Sequence, residues 1–243
     1  MNPPSASSGG STSMAVKKGT TTLGFAYQGG IVIAVDSRAS MGTFISSQTV
    51  CKVLEISDVI LGTMAGGAAD CSYWERYLSK LCRLFELRNQ EKIPVAAASN
   101  LLANIFYSWR GYGLCCGTMI AGWNATKDEP ELYFVDDKAT RLKGNLFSCG
   151  SGSTFAYGVL DNTYRWGMTE EEAVELGRRA IYHATHRDGG SGGVCRVYHC
   201  HRGGWKRVVA AADVSALHYA YAAEKGACTP RASSLRLRTV YAI

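Results

Sequence analysis

Thr20 follows Gly19 and opens a run of three threonines, and this junction is the chain's most direct route to covalent chemistry. Cutting the Gly19-Thr20 bond would leave one residue with both a hydroxyl and a free amine, a nucleophile together with its own base. A free α-amine has an unperturbed pKa of about 7.7–8.0, which suits a general base near neutral pH. A lysine cation nearby would lower that value and keep the amine neutral. Lys52 is a candidate for that cation, and Asp36 a candidate for holding the lysine charged and in place. Asp36 ends the apolar run 31–35, and Lys52 precedes the strand-like stretch 53–56. Taken singly these residues are ordinary. Threonines before a strand are common β-formers, and a lone Asp or Lys at a strand end is usually solvated.

The elements that must position these residues follow from periodicity. From Thr20 to Gly66 the chain reads as short strands, with Gly29-Gly30 as a turn before the β-branched run 31–35. The period then changes: Tyr73, Trp74, Tyr77, Leu78, Leu81 and Phe85 recur at three and four residues, which predicts an amphipathic helix. Ile93-Pro94 interrupts it, because the residue before a proline avoids helical dihedrals. A second helix carries Leu101, Leu102, Ile105, Phe106 and Trp109, and it is expected to pack antiparallel to the first. Strand patterns return at 117–121 and 131–135, and a Gly/Ser turn follows at 149–153. A helical region covers about 155–186, with Thr169 and Glu172 as a capping box inside it. Residues 194–200 and 205–210 predict a hairpin around Arg202-Gly203-Gly204. Two sheets stacked face to face with helices outside satisfy every apolar face in this order, giving one α+β domain.

Composition bounds the function classes. Of the net charge of +6, the first nineteen residues supply +2 and residues 222–243 supply +3, so the body carries only +1 and offers no basic patch for nucleic acid. No uninterrupted apolar run reaches the roughly 18 residues of a membrane span. Residues 1–18 are Ser- and Gly-rich, read as a flexible segment, and lack the apolar core of a secretory signal. The nine cysteines show no disulfide-framework spacing and are expected to be free, mostly buried thiols in a reducing compartment. Asn124-Ala125-Thr126 matches a glycosylation acceptor, and without a signal peptide it is read as accidental.

Several ordered motifs together resemble one family. Gly19-Thr20-Thr21-Thr22-Leu23, Asp36-Ser37-Arg38-Ala39 and Lys52 look like the start of a proteasome beta subunit, a threonine protease of the N-terminal-nucleophile hydrolase class. The stretch 61–71, Glu86-Leu87-Arg88-Asn89, Val95-Ala96-Ala97-Ala98-Ser99 and Gly150-Ser151-Gly152-Ser153 are similar to the chymotrypsin-like catalytic kind in that family. The match runs from Gly19 to about Tyr221.

The resemblance implies a four-layer αββα sandwich of two antiparallel sheets flanked by helices. It implies a pro-segment, 1–19, removed by self-cleavage, a catalytic domain over 20–221, and a basic tail over 222–243. Thr20 would be the nucleophile and its freed amine the base, acting through a water. Lys52 would tune the amine and Asp36 pair with Lys52. Ser151, Asp188 and Ser191 match positions that orient the new N-terminus, and the Gly66 N–H would stabilise the oxyanion. Ala39, Val50, Leu54, Met64 and Ala68 match the specificity pocket; all are apolar, so cleavage after hydrophobic residues is expected. The backbones of Ser40 and Ala68 match positions that pair with an extended peptide. The implied setting is a stacked-ring barrel with alpha-type and other beta-type subunits, in cytoplasm and nucleus, acting on unfolded polypeptide without metal or organic cofactor. Ser40 stands where threonine is common in the family, and Met41 where a small residue is usual.

Other readings compete. Gly189-Gly190-Ser191-Gly192-Gly193 fits a G-x-S-x-G pattern, but that pattern needs a strand before the serine and a helix after it, the reverse of the order here. Cys195, His199, Cys200 and His201 fit no standard zinc spacing and are read as core cysteines and surface histidines. A non-catalytic structural subunit of the same particle is the main alternative, and the joint presence of Thr20, Asp36, Lys52, Ser151, Asp188 and Ser191 argues against it. An amidase acting on small amides would need a polar, closed pocket.

Overall fold

Thr20 and Asp36, sixteen residues apart, are brought together by the first hairpin of the chain. β1 (Thr22–Tyr27) and β2 (Gly30–Val35) pair antiparallel with Thr22 opposite Val35, so the next residues outward on each strand, Thr21 and Asp36, also meet. The structure is a computed structural model and describes residues 19–224; the proposed pro-segment before Gly19 and most of the basic tail lie outside the described residues. A small hairpin of β3 (Ala39–Met41) and β4 (Phe44–Ser47) follows. β5 (Val53–Ser57), β6 (Ile60–Thr63) and β7 (Ala65–Gly66) lead into α1 (Ala68–Asn89) and α2 (Val95–Ser108). Pro94 is the N-cap of α2, where its fixed φ opens the helix and its missing N–H costs nothing.

β8 (Cys116–Asn124) and β9 (Glu129–Asp136) outrun the apolar stretches because their polar ends stay paired out to Asn124 opposite Glu129. Then come β10 (Arg141–Lys143), β11 (Leu146–Cys149), α3 (Ser153–Thr163) and α4 (Glu170–Arg187). The capping box at the start of α4 is formed in both directions: Glu172 N donates to Thr169 Oγ1 at 3.3 Å, and Thr169 N donates to Glu172 Oε2 at 3.0 Å. The chain closes with β12 (Val194–His201), β13 (Gly204–Asp213) and α5 (Val214–Glu224).

One sheet has the order β11-β1-β2-β12-β13, and the other β10-β9-β8-β6-β5 with β7 also on β8. All their pairings are antiparallel. Strand alternation sorts the core into three clusters. Ile31, Ile33 and Val35 of β2 meet Leu61, Met119 and Leu132 from the other sheet. Val32 and Ala34 of the same strand meet residues of α3 and α4 such as Leu160, Leu176 and Ile181. Ile120 and Tyr133 meet α1 and α2 through Leu78, Leu102 and Phe106. Helix α1 also buries a carboxyl: Glu75 accepts from Thr118 Oγ1 at 3.4 Å, and its other oxygen has no partner. Burial pushes that group up to about 8, against the opposing hydrogen bond from Thr118.

Two details, the burial of His199 and the helix at the C-terminal end, correct the sequence-based expectations, while Cys195 and Cys200 lie in the core as expected. His199, expected at the surface, is buried; its Nε2 lies 2.9 Å from the Tyr27 hydroxyl and 3.2 Å from the Gly29 carbonyl. Cys195 and Cys200 are core residues on opposite faces of β12, and among the described residues no group of His, Cys, Asp and Glu could hold a metal ion. α5 was not visible in the periodicity, and it carries Ala222 to Glu224, assigned above to the tail, as its last residues.

Candidate active site

The site is built where the open end of the β1–β2 hairpin meets the loop before β5 and the turn after α4. Thr20 is buried and precedes β1. Its Oγ1 donates to the Gly19 carbonyl at 2.6 Å and accepts from Lys52 Nζ at 3.1 Å. Lys52 is placed by backbone: its carbonyl accepts from Met64 N at 2.9 Å, just beyond the β5–β6 pairing of Val53 with Thr63. Its ammonium also donates to Asp36 Oδ1 at 2.5 Å. Asp36 is fully buried, and its two oxygens accept three further bonds, from the backbone N–H groups of Thr21 (3.0 Å), Arg38 (3.2 Å) and Gly192 (3.0 Å). Burial pulls the Lys52 ammonium down against the attraction of Asp36, and pushes the Asp36 carboxyl up against the attraction of Lys52. The Lys52 ammonium therefore stands between the Asp36 carboxylate and the threonine oxygen, 3.1 Å from the latter.

On the other side of Thr20 lies a hydroxyl relay ending on one carboxylate. Asp188 caps the C-terminus of α4, and its Oδ2 accepts from both Ser151 Oγ and Ser191 Oγ at 2.6 Å. Ser151 Oγ in turn accepts from Thr20 N at 3.2 Å, and Ser191 Oγ lies 2.7 Å from Thr21 Oγ1. Thr21 is thus a member of the relay that the sequence reading missed. Its only signal was its place in the threonine run, where alternation turns neighbouring hydroxyls to opposite sides. The G-x-S-x-G pattern is a turn between α4 and β12, and Ser191 within it serves this relay.

Gly19 is pressed against that turn. A Cβ on Gly19 would lie 2.2 Å from the Cα and the carbonyl oxygen of Gly190, so no side chain fits before Thr20. Ser40 Oγ accepts from Gly19 N at 2.8 Å and fixes the entering chain.

Beside Thr20 opens a cavity of about 340 Å³. Ala39, Val50, Met64 and Ala68 line it, with Met41 at its rim as the sequence suggested, joined by Ala65 and Cys71, which the sequence reading had not placed there. Leu54 does not line it. One strand repeat of two residues beyond Lys52, about 6.6 Å along the chain, Leu54 packs into the layer beneath α1 and faces a separate groove with Glu55 and Arg76. Gly66 lies on the cavity wall with φ at 109°, a conformation that L side chains rarely adopt, and a Cβ there would meet the Cys115 carbonyl oxygen at 2.4 Å. Ala68 is not in a strand; it is the first residue of α1, where backbone N–H groups lack helical partners.

A buried threonine hydroxyl with a lysine on its oxygen, beside an apolar cavity, is an arrangement of the kind that nucleophilic hydrolysis uses. Residues 16–200 match the proteasome subunit family, and the chain belongs to that family. Among its relatives, the proteasome subunit beta type-5 of Dictyostelium discoideum is 62% identical over 190 residues, covering 78% of this chain and 69% of the relative. The beta type-5 subunit of Spinacia oleracea is 60% identical over 204 residues, 84% of this chain and 74% of the relative. Proteasome subunit beta type-8 of Homo sapiens is 56% identical over 203 residues, 84% and 72% of the two chains.

Proposed function

We propose that this chain is a threonine endopeptidase subunit of the proteasome core, cleaving unfolded polypeptides after hydrophobic residues with Thr20 as nucleophile. The observation that carries the reading is the placement of Thr20 Oγ1 between the Gly19 carbonyl and Lys52 Nζ, at 2.6 and 3.1 Å, on the wall of an apolar cavity.

The chemistry runs in two stages. While Gly19 is attached, the Thr20 nitrogen is an amide and cannot act as a base. Lys52 Nζ relays the Oγ1 proton to the Thr20 nitrogen as Oγ1 attacks the Gly19 carbonyl carbon, and the C–N bond breaks to leave an ester and a free amine. Water hydrolyses the ester and releases the segment ending at Gly19. In the second stage the freed amine, through a water, takes the Oγ1 proton. Oγ1 attacks a substrate carbonyl, the peptide C–N bond breaks as the leaving nitrogen takes that proton from the Thr20 ammonium, and water hydrolyses the acyl-enzyme ester and returns a proton to Oγ1. The Gly66 N–H stabilises the developing oxyanion. Lys52 and Asp36 tune the amine electrostatically, and Ser151, Asp188, Ser191 and Thr21 orient it. An extended substrate runs between the backbones of Ser40 and the Gly66–Ala68 stretch.

The wider reading includes the four-layer αββα sandwich, supported by the three core clusters between successive layers. It includes the domain boundaries given above, with the tail starting beyond α5. It also includes assembly with alpha-type and other beta-type subunits in a stacked-ring barrel in cytoplasm and nucleus. Met41, Phe44 and Ile45 on the β3–β4 hairpin, 63%, 75% and 51% exposed in the isolated chain, favour such packing.

Intact mass and N-terminal sequence of the subunit from assembled particles test the reading. A mature chain beginning at Thr20, with cleavage after apolar residues abolished by Thr20→Ala, is expected. A mature chain that still begins before Thr20 would instead identify a non-catalytic structural subunit.

A further inference from the structure

Thr20 is reached from two sides, by Lys52 with Asp36 and by Asp188 with its two serines. One buried side chain outside these groups holds the chain of both sides. Ser37 directly follows Asp36 and is fully buried. Its Oγ donates to the Gln48 carbonyl and accepts from Val194 N at 2.8 Å. Gln48 lies four residues before Lys52, and Val194 three residues after Ser191. The Ser37 backbone repeats both ties: its carbonyl accepts from Val50 N at 3.0 Å, and its N–H donates to the Gly192 carbonyl at 3.1 Å.

The neighbours of Ser37 close this junction. Gly193 has φ at 81°, and a Cβ there would collide with both the Gln48 carbonyl oxygen and Ser37 Oγ, so three segments meet where a side chain is missing. The Arg38 guanidinium spans the same gap further out. Its Nε donates to Gln48 Oε1 at 3.1 Å, and its Nη1 donates to the Gly189 carbonyl at 3.0 Å. Ser37 itself is not on the cavity wall, and its hydrogen bonds go to backbone.

We propose that Ser37 is a positioning residue: its hydroxyl clasps the stretch that delivers Lys52 to the turn that delivers Asp188 and Ser191, and so sets how closely the two sides approach Thr20. This deepens the function proposed above and rests on it. A hydroxyl is suited to the task because it donates and accepts at one point. Alanine there would leave the Gln48 carbonyl and the Val194 N–H without their shared partner in a buried place, a cost relieved when the segments part or water enters. The electrostatics of the site depend on that spacing. Burial pulls the Lys52 ammonium down, Asp36 holds it up, and Asp188 adds a smaller upward pull.

The test compares wild-type and Ser37→Ala particles whose mature chain begins at Thr20 by intact mass. With a peptide carrying an apolar residue before the scissile bond, kcat should fall about ten- to a hundred-fold, the larger figure being the cost of a displacement of about 1 Å at reacting groups. KM should change little, because the cavity wall is intact. The acid limb of the kcat/KM profile should move to higher pH, because a receding Lys52 cation no longer lowers the pKa of the Thr20 amine. A residue that merely supports the fold would scale the rate at every pH and leave the limb in place. Ser37→Thr returns the hydroxyl and should return the limb. If Ser37→Ala fails to assemble or mature, Ser37→Cys, with a weaker donor, should show the same displacement in smaller degree. A limb that stays in place without the hydroxyl, or one displaced equally with it, overturns the proposal. Wild-type particles that cleave nothing sink the functional reading itself, whereas an active wild type beside a variant with an unmoved limb sinks only the role of Ser37.

Discussion

Replacing Lys52 with Met keeps most of the side-chain volume and removes one ammonium. Two bonds disappear, Nζ to Asp36 Oδ1 at 2.5 Å and Nζ to Thr20 Oγ1 at 3.1 Å. At 2.5 Å and an effective dielectric of about 20 the ion pair is worth about 7 kcal/mol of attraction, most of it offset by the desolvation of two side chains that are 4% and 0% exposed. Removing one partner leaves the other buried and uncompensated, so Lys52→Met should destabilise the chain by roughly 3–5 kcal/mol at neutral pH. Asp36 keeps three backbone N–H donors, which limits the loss. The pH dependence has a definite sign. Without its cation, the folded-state pKa of buried Asp36 lies further above its unfolded value. Its contribution to stability is therefore fully present below the unfolded pKa and is lost as pH rises through the folded one. The gap between wild type and Lys52→Met should narrow toward acid, and urea unfolding at a series of pH values measures it. In parallel, the variant should retain Gly19 on the mature chain by intact mass and lose turnover by at least about 10²-fold, the usual contribution of a positioned proton carrier. Equal unfolding midpoints for the two proteins at every pH, with normal processing, would refute the account of Lys52 as a buried partner of both Asp36 and Thr20.

Two other perturbations follow from the geometry. Gly19→Ala would put a methyl group 2.2 Å from the Gly190 backbone, forcing the Gly19 carbonyl away from Thr20 Oγ1 by more than about 1 Å. Self-processing, followed by the mass of newly made subunit, should slow on the order of a hundred-fold, and unchanged processing would show that this close approach is not required. Glu75→Gln removes a carboxyl held up at about 8 against an ordinary 4.5. With the folded pKa raised, the wild-type contribution is fully present below about 4.5 and declines as pH rises to about 8, a loss of roughly 5 kcal/mol at 1.36 kcal/mol per pH unit. The variant should match wild type near pH 4.5 and exceed it in urea resistance above pH 8; a difference that does not vary with pH contradicts the buried-acid assignment.

The sequence by itself determined the helices with clear periods, the capping box at Thr169 and Glu172, and the hairpin around Gly203, because these depend on local dihedrals and strand or helix period. It also determined the candidate residues, since Gly19-Thr20, Asp36 and Lys52 are a chemical set before they are a spatial one. Tertiary structure alone decided which side chains share a space. Pairing of Thr22 with Val35 brings Thr21 to Asp36, and the capped end of α4 delivers Asp188 to Ser151 and Ser191. No local pattern encodes either meeting, because each depends on strand register and on where a distant helix stops. The same holds for the exceptions. Leu54 shares the residue type of the pocket, but one strand repeat carries it under α1. His199 looked like a surface residue until the Tyr27 hydroxyl from the first strand reached it across β2. α5 is apolar almost all round, which erases the helical period, and only its contacts through Leu217 and Tyr221 show which side faces the core. Residue type fixes what a side chain can do, and register, caps and packing fix what it meets.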